Sequence, residues 1–256
     1  MKEPYPSIVA IIPARYASTR FPGKSLVKIY GKTLIQHTYE NANRCLLLDE
    51  LVVATDDERI YDHVKEFGGH VVMTPETCPT GSDRLAYVVQ NDPRLQQAEV
   101  IVNVQGDEPC VDPQVLTMLV EALRSDPAAV MSTVVVKLEE EEAFSTSHVK
   151  CVLDLRGNVL YFSRALIPGG KEGEYREGTT YYKHVGVYAY RPEFLLEYTK
   201  LPITPLQMAE DLEQLKVLEH GYKIKGVVAN SISIGVDTPE DIKRAEKELC
   251  RQSSFL

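Results

Sequence analysis

The stretch SIVAIIPARYASTRFPGKSL, residues 7–26, runs from an apolar, β-branched segment straight into a basic loop. Ser7 to Ile12 reads as a buried strand, and Pro13, which cannot donate to a ladder, ends it. Beyond it Arg15, Arg20 and Lys24 stand within ten residues among small side chains, with Pro22-Gly23 as a turn signal. Cations just past the carboxyl end of a central strand invite an anion. The loop is neither of the familiar glycine motifs for phosphate: GxxxxGK[ST] needs a glycine where Ser18 stands, and GxGxxG is absent. The cations must therefore carry more of the load, although any one of them alone fits an ordinary solvated surface loop.

Outward from this stretch the chain alternates. Leu34, Ile35, Thr38, Tyr39 and Ala42 follow helical spacing, and ELVVATDD then gives a short strand ending in a carboxylate pair, which completes a βαβ unit. A helix over about 58–67, the turn Gly68-Gly69, the strand HVVMT and a helix from about Arg84 continue the pattern. EVIVNVQGDEP, residues 99–109, is the most apolar strand after the first and has a polar tail. Strands alternating with helices at this spacing predict a doubly wound, mainly parallel sheet with ligands beyond the strand carboxyl ends.

From about residue 130 the texture changes. AVMSTVVV, KCVLDL and VLYFS are separated by short turns such as Arg156-Gly157-Asn158, as in antiparallel hairpins. GGKEGEYREG, residues 169–178, has no apolar periodicity and reads as a mobile loop or lid. PLQMAEDLEQLKVLEHG reads as one helix with Gly221 after its end, and Thr238 followed by Pro239-Glu240-Asp241 signals the start of a closing helix.

A chain of 256 residues suits one large α/β domain with a real core. Its 28 Lys and Arg against 37 Asp and Glu leave a formal charge of -9, which argues against non-specific nucleic-acid binding and makes any basic site local. Five cysteines without CxxC spacing suggest neither a zinc site nor a disulfide framework, and point to a reducing compartment. MKEPYPS lacks the apolar centre of a signal peptide, and no apolar run approaches the roughly 20 residues that span a bilayer, so a soluble cytoplasmic protein is expected. The acidic run at 138–144 reads as a solvated helix start.

Several polar residues sit where chemistry would need them. Gln105, Asp107 and Glu108 follow a buried strand, where a charge is costly unless paired or bound to metal, and Asp107 is the first metal candidate. Mg²⁺ takes one or two carboxylates together with phosphates and water; Asp237 in SIGVDTPED offers a second, and taken alone serves at least as well as a turn or cap residue. TGSDRL, residues 80–85, is a helix-capping pattern whose hydroxyls and backbone could equally read a base edge. His184 stands in the apolar strand KHVGVYAY and shares a face with Gly186 and Tyr188; such a histidine is usually structural and becomes functional where that face opens to a pocket.

IIPARYASTRFPGK, VATDDE, TGSDRLA, NVQGDEP, LYFSRALIP, KHVGVYAYR, LEQLKVL and GVDTPED, in this order over nearly the whole chain, resemble the 3-deoxy-manno-octulosonate (Kdo) cytidylyltransferases. The first motif alone resembles the wider sugar nucleotidyltransferases, sialic-acid cytidylyltransferases included. The resemblance implies a Rossmann-like, GT-A-like nucleotidyltransferase fold: α/β, with a mainly parallel mixed sheet and an antiparallel sugar-binding and dimerisation excursion. One domain would span 1–256, with a CTP-binding half to about 130, the antiparallel half over about 131–235, and a C-terminal helix over 236–256.

It implies transfer of CMP from CTP to Kdo with release of pyrophosphate, dependence on Mg²⁺, a homodimer, and no nucleic-acid or membrane partner. By motif, Arg15, Arg20 and Lys24 would hold phosphates, and Ala14, Ser82, Arg84 and Gln105 would lie around the nucleotide. Asp107 and Asp237 would ligate Mg²⁺, and Arg164, His184, Tyr188, Glu213 and Gln214 would surround Kdo. The alternatives are a sialic-acid or other keto-sugar-acid cytidylyltransferase and, from another class, a non-catalytic nucleotide-sugar-binding regulator. After SRALIP, Gly169-Gly170 replaces the aromatic and charged continuation usual in the family.

Overall fold

Ile8–Ala14 forms β1, with six of its seven residues buried. The computed structural model describes residues 5–17, 21–230 and 235–253. Its contacts divide the chain into two units, Met1–Thr117 with Ser233–Leu256, and Met118–Ile232. No helix among the described residues is long and apolar enough to cross a membrane.

In the first unit β1 is followed by a 3₁₀ turn at Lys24–Leu26, the short hairpin β2 (Lys28–Ile29) and β3 (Lys32–Thr33), and α1 (Leu34–Ala42). Then come β4 (Glu50–Thr55), α2 (Glu58–Glu66), β5 (His70–Met73), α3 (Gly81–Asn91), β6 (Val100–Asn103) and α4 (Pro113–Ser125), within which the division falls. β1 pairs in parallel with β4 on one side and β6 on the other, and β5 extends β4 in parallel. Side chains cap the helices: Thr33 accepts from Gln36 N–H, Asp57 from Arg59 N–H, and Thr80 and Asp83 form a capping box at α3, where TGSDRL signals one.

β1 does not stop before Pro13, as expected, but runs to Ala14, with Pro13 opposite Ala54. The missing donor explains why this is tolerated. Val104 N–H donates to Ile11 O, so by two-residue alternation Pro13 also faces the β6 side, where pairing has already ended at Asn103. Gly106 closes over that gap: a Cβ there would lie 2.7 Å from Pro13 O, so only glycine allows the approach.

The second unit contains β7 (Ala129–Lys137), α5 (Glu140–Ala143), β8 (Lys150–Leu153), β9 (Val159–Ser163) and β10 (Tyr182–Tyr190). They are followed by α6 (Pro192–Tyr198), α7 (Pro205–Glu210), α8 (Leu215–Glu219) and β11 (Lys223–Ala229). The expected antiparallel pairing joins β8 to β9 and β10, and β10 to β7, whereas β11 runs parallel to β7. The elements between them, α5, β8, β9, β10 and α6 to α8, supply the long connection that a parallel strand needs. The segment 169–178, read from sequence as a mobile loop, is anchored: Tyr175 stacks on Tyr181 with ring centroids 4.5 Å apart, and Arg176 N–H donates to the Tyr181 hydroxyl at 3.0 Å.

The single helix expected over 205–221 is two. Asp211 takes a left-handed conformation at φ 53° and ends α7, and a turn over 212–214 leads into α8. Long-range bonds hold the break. Glu210 turns its carboxylate to Ser163 and Arg164, while Glu219 accepts from the Leu206 and Gln207 N–H groups that open α7.

The chain then returns to the first unit with α9 (Asp241–Ser253). Ile242, Ala245 and Leu249 share one face and pack with Val236 against Ile29, Leu34 and Cys110. This docking brings the residues preceding α9 to the carboxyl ends of the parallel strands.

Candidate active site

A cleft of about 350 Å³ in the first unit is enclosed by the loop after β1, the 3₁₀ turn, the start of α3, the loop after β6 and the segment before α9. Pro13, Ala14, Arg15, Lys24, Gly81, Arg84, Gln105, Asp107 and Asp237 are among its walls. Residues from five separate stretches thus meet beyond the strand carboxyl ends, where an open parallel sheet binds ligands.

Lys24 is at the centre. Its ammonium lies 2.7 Å from Asp107 Oδ2, 3.2 Å from Asp237 Oδ1 and 3.1 Å from Val236 O, so each of its three protons has an acceptor. The two carboxylates are held from behind: Val236 N–H donates to Asp107 O at 2.8 Å, and Asp237 N–H donates to Asp241 Oδ2 at 3.1 Å. Two carboxylates converging on one cation is a donor set that fits a hard divalent ion. Among the described residues no group of three or more His, Cys, Asp or Glu comes together that could hold a metal ion.

The basic loop is folded back on itself. Gly23 N–H donates to Tyr16 O at 2.8 Å, and Gly23 adopts φ +72° with the Tyr16 ring against it, so a side chain there would be strained and crowded. Arg59, bidentate to Asp57, stacks its guanidinium 3.3 Å from the centre of the Tyr16 ring. Arg15 is exposed and has no ion-pair partner among the described residues. Arg20 lies outside the described residues. Tyr16 and Arg59 were not singled out in the sequence, and their stack joins stretches far apart in the chain.

Arg84 is fully buried, pairs with Asp56 at 2.5 Å and donates to the Thr74 hydroxyl, while its Nε has no hydrogen-bond partner. The arginine thereby ties α3 to the ends of β4 and β5. Asp56 belongs to the carboxylate pair at the end of ELVVATDD, for which the sequence pattern suggests no role. Ser82 is almost buried in the first turn of α3, and Gln105 is half-buried after β6.

In the second unit the structure gathers His184, Tyr188, Glu213 and Gln214. A bulge in β10 between Val185 and Tyr188 leaves His184 opposite Val135 and Tyr188 opposite Thr133, with the two rings 5.5 Å apart. The Thr133 hydroxyl fills the bulge, lying 3.0 Å from both Val187 O and His184 Nε2. Since that hydroxyl has one proton and a carbonyl can only accept, His184 Nε2–H donates to it, and Nδ1 accepts from Gln214 Nε2 at 3.5 Å.

Both hydrogen bonds suit a neutral ring, and desolvation pushes His184 down to about 3. Desolvation, aided by Tyr190 and Glu213, likewise holds the Tyr188 phenol well above its ordinary value. The Tyr198 hydroxyl donates to Glu213 Oε2 at 3.4 Å. Arg164, at the end of β9, directs its guanidinium to the carbonyls of Glu210, Thr146 and Asp211.

Residues 9–224 match the family model described as cytidylyltransferase. The chain is 58% identical over 250 residues to the 3-deoxy-manno-octulosonate cytidylyltransferase of Protochlamydia amoebophila, covering 97% of this chain and 96% of that protein. It is 51% identical over 243 residues to the enzyme of the same name from Chlamydia trachomatis serovar L2, covering 94% and 93%. Among solved structures, a CMP:2-keto-3-deoxy-manno-octonic acid synthetase complexed with CTP superposes with a TM-score of 0.89 at 38% identity, covering 96% of this chain and 99% of that one.

Proposed function

The chain belongs to the cytidylyltransferase family, on its 3-deoxy-manno-octulosonate branch, and from that premise we propose that it transfers CMP from CTP to Kdo with release of pyrophosphate. The observation that carries the reading is the meeting of Lys24, Asp107 and Asp237 in a cleft edged by a basic loop. A regulator that merely bound nucleotide sugars would have no need for two carboxylates poised on one cation.

In this reading Arg15, Arg20 and Lys24 hold the triphosphate through charge-assisted hydrogen bonds. Ala14, Ser82, Arg84 and Gln105 line the nucleoside side. Asp107 and Asp237 hold Mg²⁺, which when bound polarises phosphoryl oxygen and offsets the charge of the departing pyrophosphate. Arg164 meets the Kdo carboxylate, while neutral His184, Tyr188, Glu213 and Gln214 hydrogen-bond its hydroxyls.

The anomeric hydroxyl of Kdo attacks the α-phosphorus: the new oxygen–phosphorus bond forms as the bond to the bridging oxygen breaks, pyrophosphate leaves, and the hydroxyl proton passes to water. No side-chain nucleophile is required, so the protein's contribution is positioning and charge neutralisation. The reading includes a homodimer, supported by the exposed Leu155, Leu160, Ile203 and Met208 of the second unit.

Pyrophosphate release tests it. With CTP and Mg²⁺, release is expected with Kdo and not with sialic acid or without sugar. Release with sialic acid at a comparable rate would assign the wrong acceptor, and no release with any sugar would favour the regulator.

A further inference from the structure

Arg164 is held by its own peptide groups between two opposite charges. Its N–H donates to Glu210 Oε2 at 2.9 Å, and its carbonyl accepts from Lys150 Nζ at 2.6 Å. The other oxygen of Glu210 accepts from the Ser163 hydroxyl at 2.6 Å. Lys150 is fully buried, and its ammonium directs its remaining two protons to Ser145 O and His148 O, both at 2.7 Å. One lysine therefore pins the loop 145–148 and the residue after β9 together. Desolvation lowers the pKa of that ammonium, an effect that nearby Glu210 opposes.

The guanidinium of Arg164 is oriented without being neutralised. Nε donates to Glu210 O at 2.9 Å, Nη2 to Asp211 O at 3.3 Å and Nη1 to Thr146 O at 3.4 Å. Asp211 Oδ2 lies 3.9 Å away on a side chain that is 98% exposed, which makes a weak, screened pair. Arginine has five N–H donors in a fixed fork, so two remain for a planar anion after the three carbonyls are served.

We propose that Lys150 and Glu210 are positioning residues of the acceptor site, which lock the Arg164 peptide from both sides so that its free N–H groups meet the carboxylate of the keto-sugar acid. This rests on the reading of Arg164 as the carboxylate's partner. In this proposal the effect of both residues on the acceptor passes through Arg164, although Glu210 also bonds Ser163 and Lys150 also holds the loop 145–148.

A double-mutant cycle separates the two claims. Glu210→Ala carries the test, because Lys150→Met orphans three buried carbonyls and endangers the fold. KM for Kdo and for CTP are measured on Arg164→Ala, Glu210→Ala and the double variant. Arg164→Ala is expected to raise the Kdo KM at least about thirtyfold and Glu210→Ala about tenfold, with the CTP KM within about twofold of wild type. The double variant should be no worse than Arg164→Ala alone, since a residue acting through another has nothing left to position. Multiplying penalties, an unchanged Kdo KM in Glu210→Ala, or an equal rise in the CTP KM each overturn the positioning role while leaving the reading of Arg164 intact. An unchanged Kdo KM in Arg164→Ala overturns that reading, and this inference with it.

Discussion

Lys24 separates two carboxylates that would otherwise repel each other. With its side chain only 14% exposed, the ammonium bonds Asp107 and Asp237 in a partly desolvated setting, where charge pairing counts for more than at the surface. Lys24→Met should raise the CTP KM by at least about tenfold while leaving the Kdo KM within about twofold, because in the proposed function this cation holds the triphosphate. Equal rises for both substrates would mean that the lysine serves the fold. Asp107→Asn should lower turnover by at least about tenfold throughout a magnesium titration, since it removes a charged oxygen from a hard-cation site; wild-type turnover would remove Asp107 from the site. His184 adds a pH signature. Its folded pKa is depressed, so the unfolded chain binds the extra proton, and the stability of the neutral ring is intact above about 6.5 and lost as pH falls toward about 3. Thermal melts of His184→Gln should lose less on acidification over that window than wild type, and identical slopes would contradict the assignment. Asp107 stood out as a carboxylate on the polar tail of a buried strand, whereas Asp237 taken alone reads equally well as a turn or cap residue, and only the family resemblance paired it with Asp107 before the structure brought both to Lys24. Lys150 was not legible: a lysine opening KCVLDL reads as a solvated strand end, and only the convergence of the Ser145, His148 and Arg164 carbonyls on its ammonium accounts for its burial.

Local periodicity described most helices and strands well, and failed where distant side chains redirect the backbone. The helices α7 and α8 show this. Their apolar spacing is continuous enough to read as one helix, yet Glu210 and Glu219 are engaged with groups that no local pattern contains. The break depends on Asp211 holding φ 53°, a conformation that costs an ordinary L-residue roughly 1–2 kcal/mol and glycine almost nothing. Because the Asp211 side chain is 98% exposed, substitutions there report on backbone conformation more than on lost contacts. Asp211→Gly should be neutral or slightly stabilising in urea titrations, and Asp211→Val should lose about 1–2 kcal/mol. Equal stability of the two variants would show that the left-handed turn is not needed. The extension of β1 through Pro13 has the same kind of origin. Proline was a sound stop signal, but the strand beside it had already ended, which sequence periodicity could not reveal.

The α/β class and the alternation of the first half were readable because buried parallel strands leave long apolar runs between helices. The division of the chain was harder to see, since it falls within α4 and the last segment rejoins the first unit across more than a hundred residues. Leu155, Leu160, Ile203 and Met208 are exposed in the second unit, and the proposed function includes a two-fold dimer. Light scattering at micromolar concentration should return twice the 28.7 kDa chain mass, and the monomer mass would remove the dimer from the proposed function. The return of the chain before α9 has a consequence for biosynthesis. Asp237 and the backbone of Val236 come from the end of the sequence, while Lys24 and Asp107 emerge from the ribosome far earlier. A nascent or prematurely terminated product that stops before residue 237 has the basic loop but only one of the two carboxylates.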